Sequence, residues 1–209
     1  MKDLYIIGAG GCGREVLQWS KDVNKVRETW NIRGFLDDNP DALDGLACDY
    51  QVVGSIAEWV PGENEVFALA IANPEVKQQV SQKFEEKGGE FVSVIHPSAL
   101  ISDHTHIGKG AIIYPGASMS PNSSIGDYVT LLSTGIGHDA VVENFATVSS
   151  CCCVMRSVHI CEKAFVGGGA VLFPEIRVGT SAYVGAGSVV IKNVGDNCKV
   201  FGNPARKIQ

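Results

Sequence analysis

IGKGAIIYPGASMSPNSSIGDYVTLLSTGIGHDAVV, residues 107–142, is the stretch on which the fold turns. An aliphatic residue or methionine stands at every sixth position: Ile107, Ile113, Met119, Ile125 and Leu131. After a single five-residue step the series resumes at Ile136 and Val142. The same spacing reaches back to Ile101 and Ile95, and forward through Val148, Val154, Ile160, Val166, Leu172, Val178, Val184 and Val190. Glycine often follows the aliphatic residue (Gly108, Gly126, Gly137, Gly167, Gly179), and a small residue lies four positions after it (Ala111, Ala117, Ala140, Ala146, Ala164). Neither a 3.6-residue helix nor a two-residue strand alternation gives this period. Hexapeptide repetition is the signature of a parallel β-helix. Each unit makes one short strand and one turn, and three units close a triangular coil. The aliphatic residue points into the prism and the small residue lets the corner bend. The run corresponds to between five and six coils, about eighteen residues each. Backbone hydrogen bonds between coils make the stack stable layer by layer and require capped ends.

The residues before this array follow a different rhythm. LYIIG (4–8) is a buried-strand run, and GREVLQWSKDV carries helical spacing. IRGFLDD (32–38) and EVFALAIAN (65–73) are further strands, the second closed by Pro74 at the N1 position of the helix EVKQQVSQKFEEKG. Gly88 and Gly89 end that helix, and EFVSVI is a last strand. Strand and helix alternating in this way predict a small Rossmann-like parallel sheet with crossover helices. The expected organisation is an α/β domain over residues 1–93 and an all-β parallel β-helix over 94–209.

Composition narrows the function classes. The 209-residue chain has 45% hydrophobic residues, enough for a sizeable core, and 24 glycines, which imply many tight turns. Its formal net charge of −6 argues against a nucleic-acid or anionic-membrane partner. No apolar run approaches a membrane span, and MKDLYIIGAGG lacks the pattern of a signal peptide. Seven cysteines without an export signal read as reduced thiols in a cytoplasmic protein. Cys151, Cys152 and Cys153 read as small residues filling a narrow interior, with no metal site.

Two groups of residues carry chemistry. His138 and Asp139 stand together in small, aliphatic surroundings, just after the five-residue step. A neutral imidazole can accept a proton from an amine or hydroxyl, and a neighbouring carboxylate can fix its tautomer. His96, His104, His106 and His159 carry no such pairing in sequence and read as junction or solvated turn residues. Earlier in the chain, Gly8, Gly10 and Gly13 form G-x-G-x-x-G between a strand and a helix, with Asp37 and Asp38 at the end of the next strand. Alone, that fingerprint suggests a dinucleotide such as NAD. Fewer than a hundred residues cannot supply both halves of a dinucleotide fold, however, so NAD is not expected.

GAGGCGREV, GFLDD, IHPSALIS leading into hexapeptides, GHD and VFGNPARKI occur in that order along essentially the whole chain. Together they resemble the sugar O- and N-acyltransferases of the left-handed β-helix superfamily, nearest the sialic acid O-acetyltransferase-like proteins and the UDP-4-amino-sugar N-acetyltransferases. The resemblance implies a left-handed coil, acetyl-CoA as co-substrate, no metal, and a cytoplasmic homotrimer whose active sites lie between subunits. It implies N-acetylation of a nucleotide-activated amino sugar, UDP-linked first, in surface polysaccharide or glycan biosynthesis. O-acetylation of a sugar, or a catalytically weak binding or assembly protein on the same scaffold, are the alternatives. By position, His138 is implied as general base and Asp139 as its acidic neighbour. Gly10, Gly11, Cys12, Asp37, Asp38, Ala72 and Asn73 are implied as acceptor contacts, and Thr147, Gly167, Gly168, Gly185 and Ala186 as acetyl-CoA contacts. Thr147 stands where relatives place a second histidine near the acetyl group, Leu132 where they often carry Asn, and Arg156 where they carry Gly.

Overall fold

The computed structural model describes residues 1–208 and divides into two compact units, Met1–Pro97 and Ser98–Gln209. In the first unit, β1 (Lys2–Ile7) is followed by α1 (Gly11–Val26), β2 (Trp30–Leu36), β3 (Val52–Gly54), β4 (Glu65–Leu69), α2 (Pro74–Glu86) and β5 (Glu90–Phe91). The strands pair in parallel in the order β3-β2-β1-β4-β5. Connections from β1 therefore leave in opposite directions, which opens a crevice at the carboxyl ends of β1 and β4. Helix α1 buries Gly13, Val16, Leu17 and Ser20, the i, i+3, i+4, i+7 stripe of an amphipathic helix. Helix α2 buries Lys77, Ser81 and Phe84 instead of its valines, with Val76 left exposed. Phe84 meets Phe67 edge-to-face at 5.1 Å, so the aromatic contact sets which side of α2 faces the sheet.

The second unit is a parallel β-solenoid of two-residue strands. One face stacks Leu100–Ile101, Ser118–Met119, Gly135–Ile136, Cys153–Val154, Val171–Leu172 and Val189–Val190. A second stacks His106–Ile107, Ser124–Ile125, Val141–Val142, His159–Ile160 and Arg177–Val178. The third runs from Ile112–Ile113 through Thr130–Leu131, Thr147–Val148, Phe165–Val166 and Tyr183–Val184 to Lys199–Phe201. Arg206–Lys207 then turns back antiparallel on Lys199–Phe201 and closes that edge. The predicted aliphatic ladder is the core, fully buried from Ile113 to Val190. At the first coils it is incomplete: Ile101 is 37% exposed and Ile107 half-buried, because fewer coils lie beyond them.

Most corners place one residue in the left-handed region, three positions after the aliphatic residue. Gly110, Gly116 and Gly169 do so, but so do Asn122, Tyr128, Asp139, Phe145, Cys151, Ser157 and Lys163. The glycine that directly follows the aliphatic residue has a different purpose. A Cβ on Gly167 would lie 2.6 Å from the backbone nitrogen of Ala186 in the next coil, so close stacking of coils demands it.

The five-residue step is absorbed at Leu132, Ser133 and Thr134. Ser133 adopts φ 24°, and its hydroxyl donates to the Pro115 carbonyl at 2.8 Å. Thr134 donates its hydroxyl to the Cys152 carbonyl at 2.9 Å, so side chains tie the short corner to the coils on both sides. The cysteine run is not all interior. Cys152 is buried, but Cys151 sits exposed on a corner and Cys153 points outward from a strand, because successive residues of a two-residue strand face opposite sides.

Candidate active site

His138 and Asp139 occupy one corner of the solenoid, between the strands Gly135–Ile136 and Val141–Val142. Asp139 takes the left-handed position, φ 61°, a conformation that Asp tolerates better than most residues. That backbone turn brings Asp139 Oδ2 to 2.7 Å from His138 Nδ1. Both side chains are about half exposed, at 55% and 50%. The His138 hydrogen bond, followed by one from Asn122, holds the Asp139 carboxyl below the usual carboxylate range. With Nδ1 engaged, Nε2 is the ring nitrogen that faces outward chemistry. The coil above contributes Arg156, whose Nη1 donates to Glu175 Oε1 at 2.6 Å, while Ser157 N–H donates to the His138 carbonyl at 2.9 Å.

Of the other histidines, His106 lies on a strand and not on a turn, and His96 and His159 are engaged elsewhere. His96 packs edge-on against Trp19 at 5.2 Å, with Asp22 3.6 Å from its Nε2. His159 is not a solvated turn residue but a strand residue, its Nε2 2.5 Å from Glu143 Oε1. Glu143, His159 and Cys161 bring three donor atoms within 4.8 Å of one another. Glu143 is already committed to His159 and to the Glu162 N–H, and the nearby Arg177 guanidinium donates to Asp196 at 2.9 Å.

The corner expected to carry CoA aligns Ser150, Gly168 and Ala186 in successive coils, with Gly169 N–H donating to Ser150 O and Gly187 N–H to Gly168 O, both at 2.9 Å. Within each predicted pair only one residue faces outward. Gly167 and Gly185 are buried beneath the coil above, and a Cβ on Gly185 would lie 2.1 Å from the Phe201 ring. Their role is packing, and any ligand on this corner meets Gly168 and Ala186. Thr147 departs further from expectation. It is only 1% exposed, in register between Thr130 and Phe165, and presents no open surface to a thioester.

In the first unit the predicted acceptor contacts do converge. Gly10, Gly11 and Cys12 follow β1, Asp37 and Asp38 follow β2, and Ala72 and Asn73 follow β4, all at the carboxyl end of adjacent strands. Their roles differ, though. Asp37 accepts from Ala9 N–H at 2.8 Å and from Asn39 N–H at 2.9 Å, which fastens the glycine loop to the end of β2. Asp38 accepts from the Ser55 hydroxyl at 2.6 Å and from Ala57 N–H at 2.9 Å, and these bonds, the Ser55 one first, hold its carboxyl below the usual range. Asn73 is the N-cap of α2, its side-chain oxygen accepting from Glu75 and Val76 N–H. The three side chains are therefore scaffold first. Among the glycines, Gly13 must lack a side chain because its Cβ would fall 1.8 Å from the Gly8 carbonyl, whereas the space above Gly10 and Gly11 is open. Beside them lies a depression of about 570 Å³ lined by Gly11, Cys12, Arg14, Glu15, Gln18 and Trp19. Ser55, which sequence reading missed, stands out only through its bond to Asp38. No helix among the described residues is long and apolar enough to cross a membrane.

Known proteins share this fold along the whole chain. Residues 3–84 match the PglD N-terminal domain. Over 99% of its length the chain is 33% identical to GDP-perosamine N-acetyltransferase of Escherichia coli O157:H7, covering 97% of that protein. It is similar to the acetyltransferase domain of PglB from Neisseria gonorrhoeae FA1090 solved in complex with acetyl coenzyme A, with TM-score 0.87, 26% identity and 99% of each chain covered. WeeI from Acinetobacter baumannii AYE gives TM-score 0.87 at 27% identity, with both chains covered completely.

Proposed function

Since the chain belongs to the hexapeptide-repeat sugar acetyltransferases that carry a PglD-type N-terminal domain, we propose that it moves an acetyl group from acetyl-CoA to the amine of a nucleoside diphosphate-linked amino sugar. The observation that carries this reading is the His138–Asp139 pair, 2.7 Å apart on an otherwise small and aliphatic corner. A sugar amine attacking a thioester must lose a proton as the C–N bond forms. His138 Nε2 accepts that proton, and Asp139 stabilises the imidazolium that results. Collapse of the tetrahedral intermediate breaks the C–S bond, and the imidazolium returns the proton to the departing CoA thiolate.

The open backbone at Gly10, Gly11 and Cys12 receives the nucleotide's phosphates, with Asp37 holding the loop in shape. The pantetheine arm lies along Gly168 and Ala186. The full-length relative named for a GDP-linked sugar supports guanosine over the uridine that the family resemblance implied. The functional assembly is a cytoplasmic homotrimer, as the family resemblance implies, and the product feeds glycan synthesis at the cell surface. Thioester turnover with acetyl-CoA against GDP-, UDP-, dTDP- and CMP-linked amino and hydroxy sugars tests the reading. Turnover with a GDP- or UDP-linked amino sugar is expected. Activity confined to hydroxy sugars, or to none of the panel, would remove it.

A further inference from the structure

The corner below the His138–Asp139 corner is formed by Pro121 and Asn122. Ser124 pairs with Val141 across the two coils, which places Asn122 directly under Asp139. Both residues hold the left-handed conformation, φ 60° and 61°, and the Asp139 N–H donates to the Pro121 carbonyl at 3.2 Å. The Asn122 amide stands one coil below the Asp139 carboxylate and helps to lower its pKa, so amide, carboxylate and His138 ring lie in a row, the last two joined at 2.7 Å. An amide NH₂ can only donate to an ionised carboxylate, which leaves an oxygen to face Nδ1–H.

We propose that Asn122 is a positioning residue for acetyl transfer: by holding the Asp139 carboxylate from below, it keeps the His138 proton on Nδ1 and the Nε2 lone pair turned to the acceptor. This rests on His138 being the base. An exposed aspartate on an exposed corner is otherwise free to rotate into water, and a free imidazole prefers the opposite tautomer. Two anchors, one on each side of Asp139, remove that freedom. On the corners above, Arg156 and Glu175 are bonded to each other.

Asn122→Gly keeps the left-handed backbone accessible while deleting the amide, and Asn122→Asp keeps the shape while replacing the donor by a second carboxylate. The ¹⁵N chemical shifts and couplings of the His138 ring report its tautomer directly, without reference to turnover. In both variants the ring is expected to lose its Nδ1–H preference. The kcat should fall about tenfold, as for one lost bond to a charged group, with KM for acetyl-CoA unchanged. A wild-type tautomer in Asn122→Gly, or a kcat drop without a tautomer change, would overturn the positioning role. Full activity in His138→Ala would instead overturn the assignment of the base, while the tautomer measurement still stands, so the two failures are separable.

Discussion

Asp37→Ala removes a carboxylate that is half-buried and holds two backbone N–H groups, Ala9 at 2.8 Å and Asn39 at 2.9 Å. A bond from a neutral donor to a charged acceptor contributes roughly 1.5–3 kcal/mol when buried. Water reaches part of this site and re-solvates what is exposed, so the two bonds together are worth about 2 kcal/mol. For a unit of this size, each kcal/mol lowers the midpoint by roughly 4–8 °C. The calorimetric transition of the first unit should therefore fall by roughly 8–16 °C, with that of the solenoid unmoved. Asp37→Asn retains one acceptor oxygen and should lose about half as much. Because Ala9 leads into the glycine loop, the acceptor KM should rise by at least tenfold while the acetyl-CoA KM stays constant, the pattern of lost ground-state binding. An Asp37→Ala protein that melts like wild type would show that the carboxylate does not hold the loop.

Asn73→Ala should cost about 1 kcal/mol by stripping the cap from α2, and Asn73→Asp should restore most of it, both read by denaturant titration. Gly167→Ala forces a Cβ against the Ala186 backbone 2.6 Å away. It should destabilise the solenoid by about 2 kcal/mol through coil separation, seen as a lower solenoid midpoint. Lys77 is 1% exposed, and burial pushes its ammonium down to about 7, below its ordinary 10.5. The unfolded chain then binds the extra proton between those values, so stability should rise from about pH 7 towards pH 10 by roughly 1 kcal/mol per pH unit, and be flat in this term below pH 7, where both states are protonated. Lys77→Met should flatten that dependence and raise stability at pH 7, and a retained slope would assign it to another group.

Much of this architecture could be read from spacing, because an interior three side chains wide accepts only a strict ladder, and Ile113 through Val190 advertise it. The small residues at the corners, Ala111 to Ser188, were legible for the same reason. What stayed hidden depends on contacts between coils. Gly167 and Gly185 look like ligand-facing glycines in sequence, yet the coil above dictates them. The left-handed corner residues are mostly not glycine, so composition did not mark them. Asn122 was concealed by the five-residue step, which puts it seventeen residues before Asp139 where the coils from Val141 to Val190 repeat at eighteen. In the first unit, Asp37, Asp38 and Asn73 were rightly located at strand ends. Their hydrogen bonds to the backbone, which make them scaffold, depend on loop paths that no periodicity encodes. The buried Lys77 is the plainest override: a helix face chosen by Phe84 carries a lysine inward with it.

The most direct test of the account is kcat/KM for acetyl transfer to a GDP- or UDP-linked amino sugar by purified His138→Ala beside wild type. Loss of a general base predicts a drop of at least ~10²-fold. Circular dichroism and the solenoid midpoint should be unchanged, since the side chain is about half exposed on a corner outside the core. Turnover within a few-fold of wild type would contradict the claim that this corner is where the amine gives up its proton.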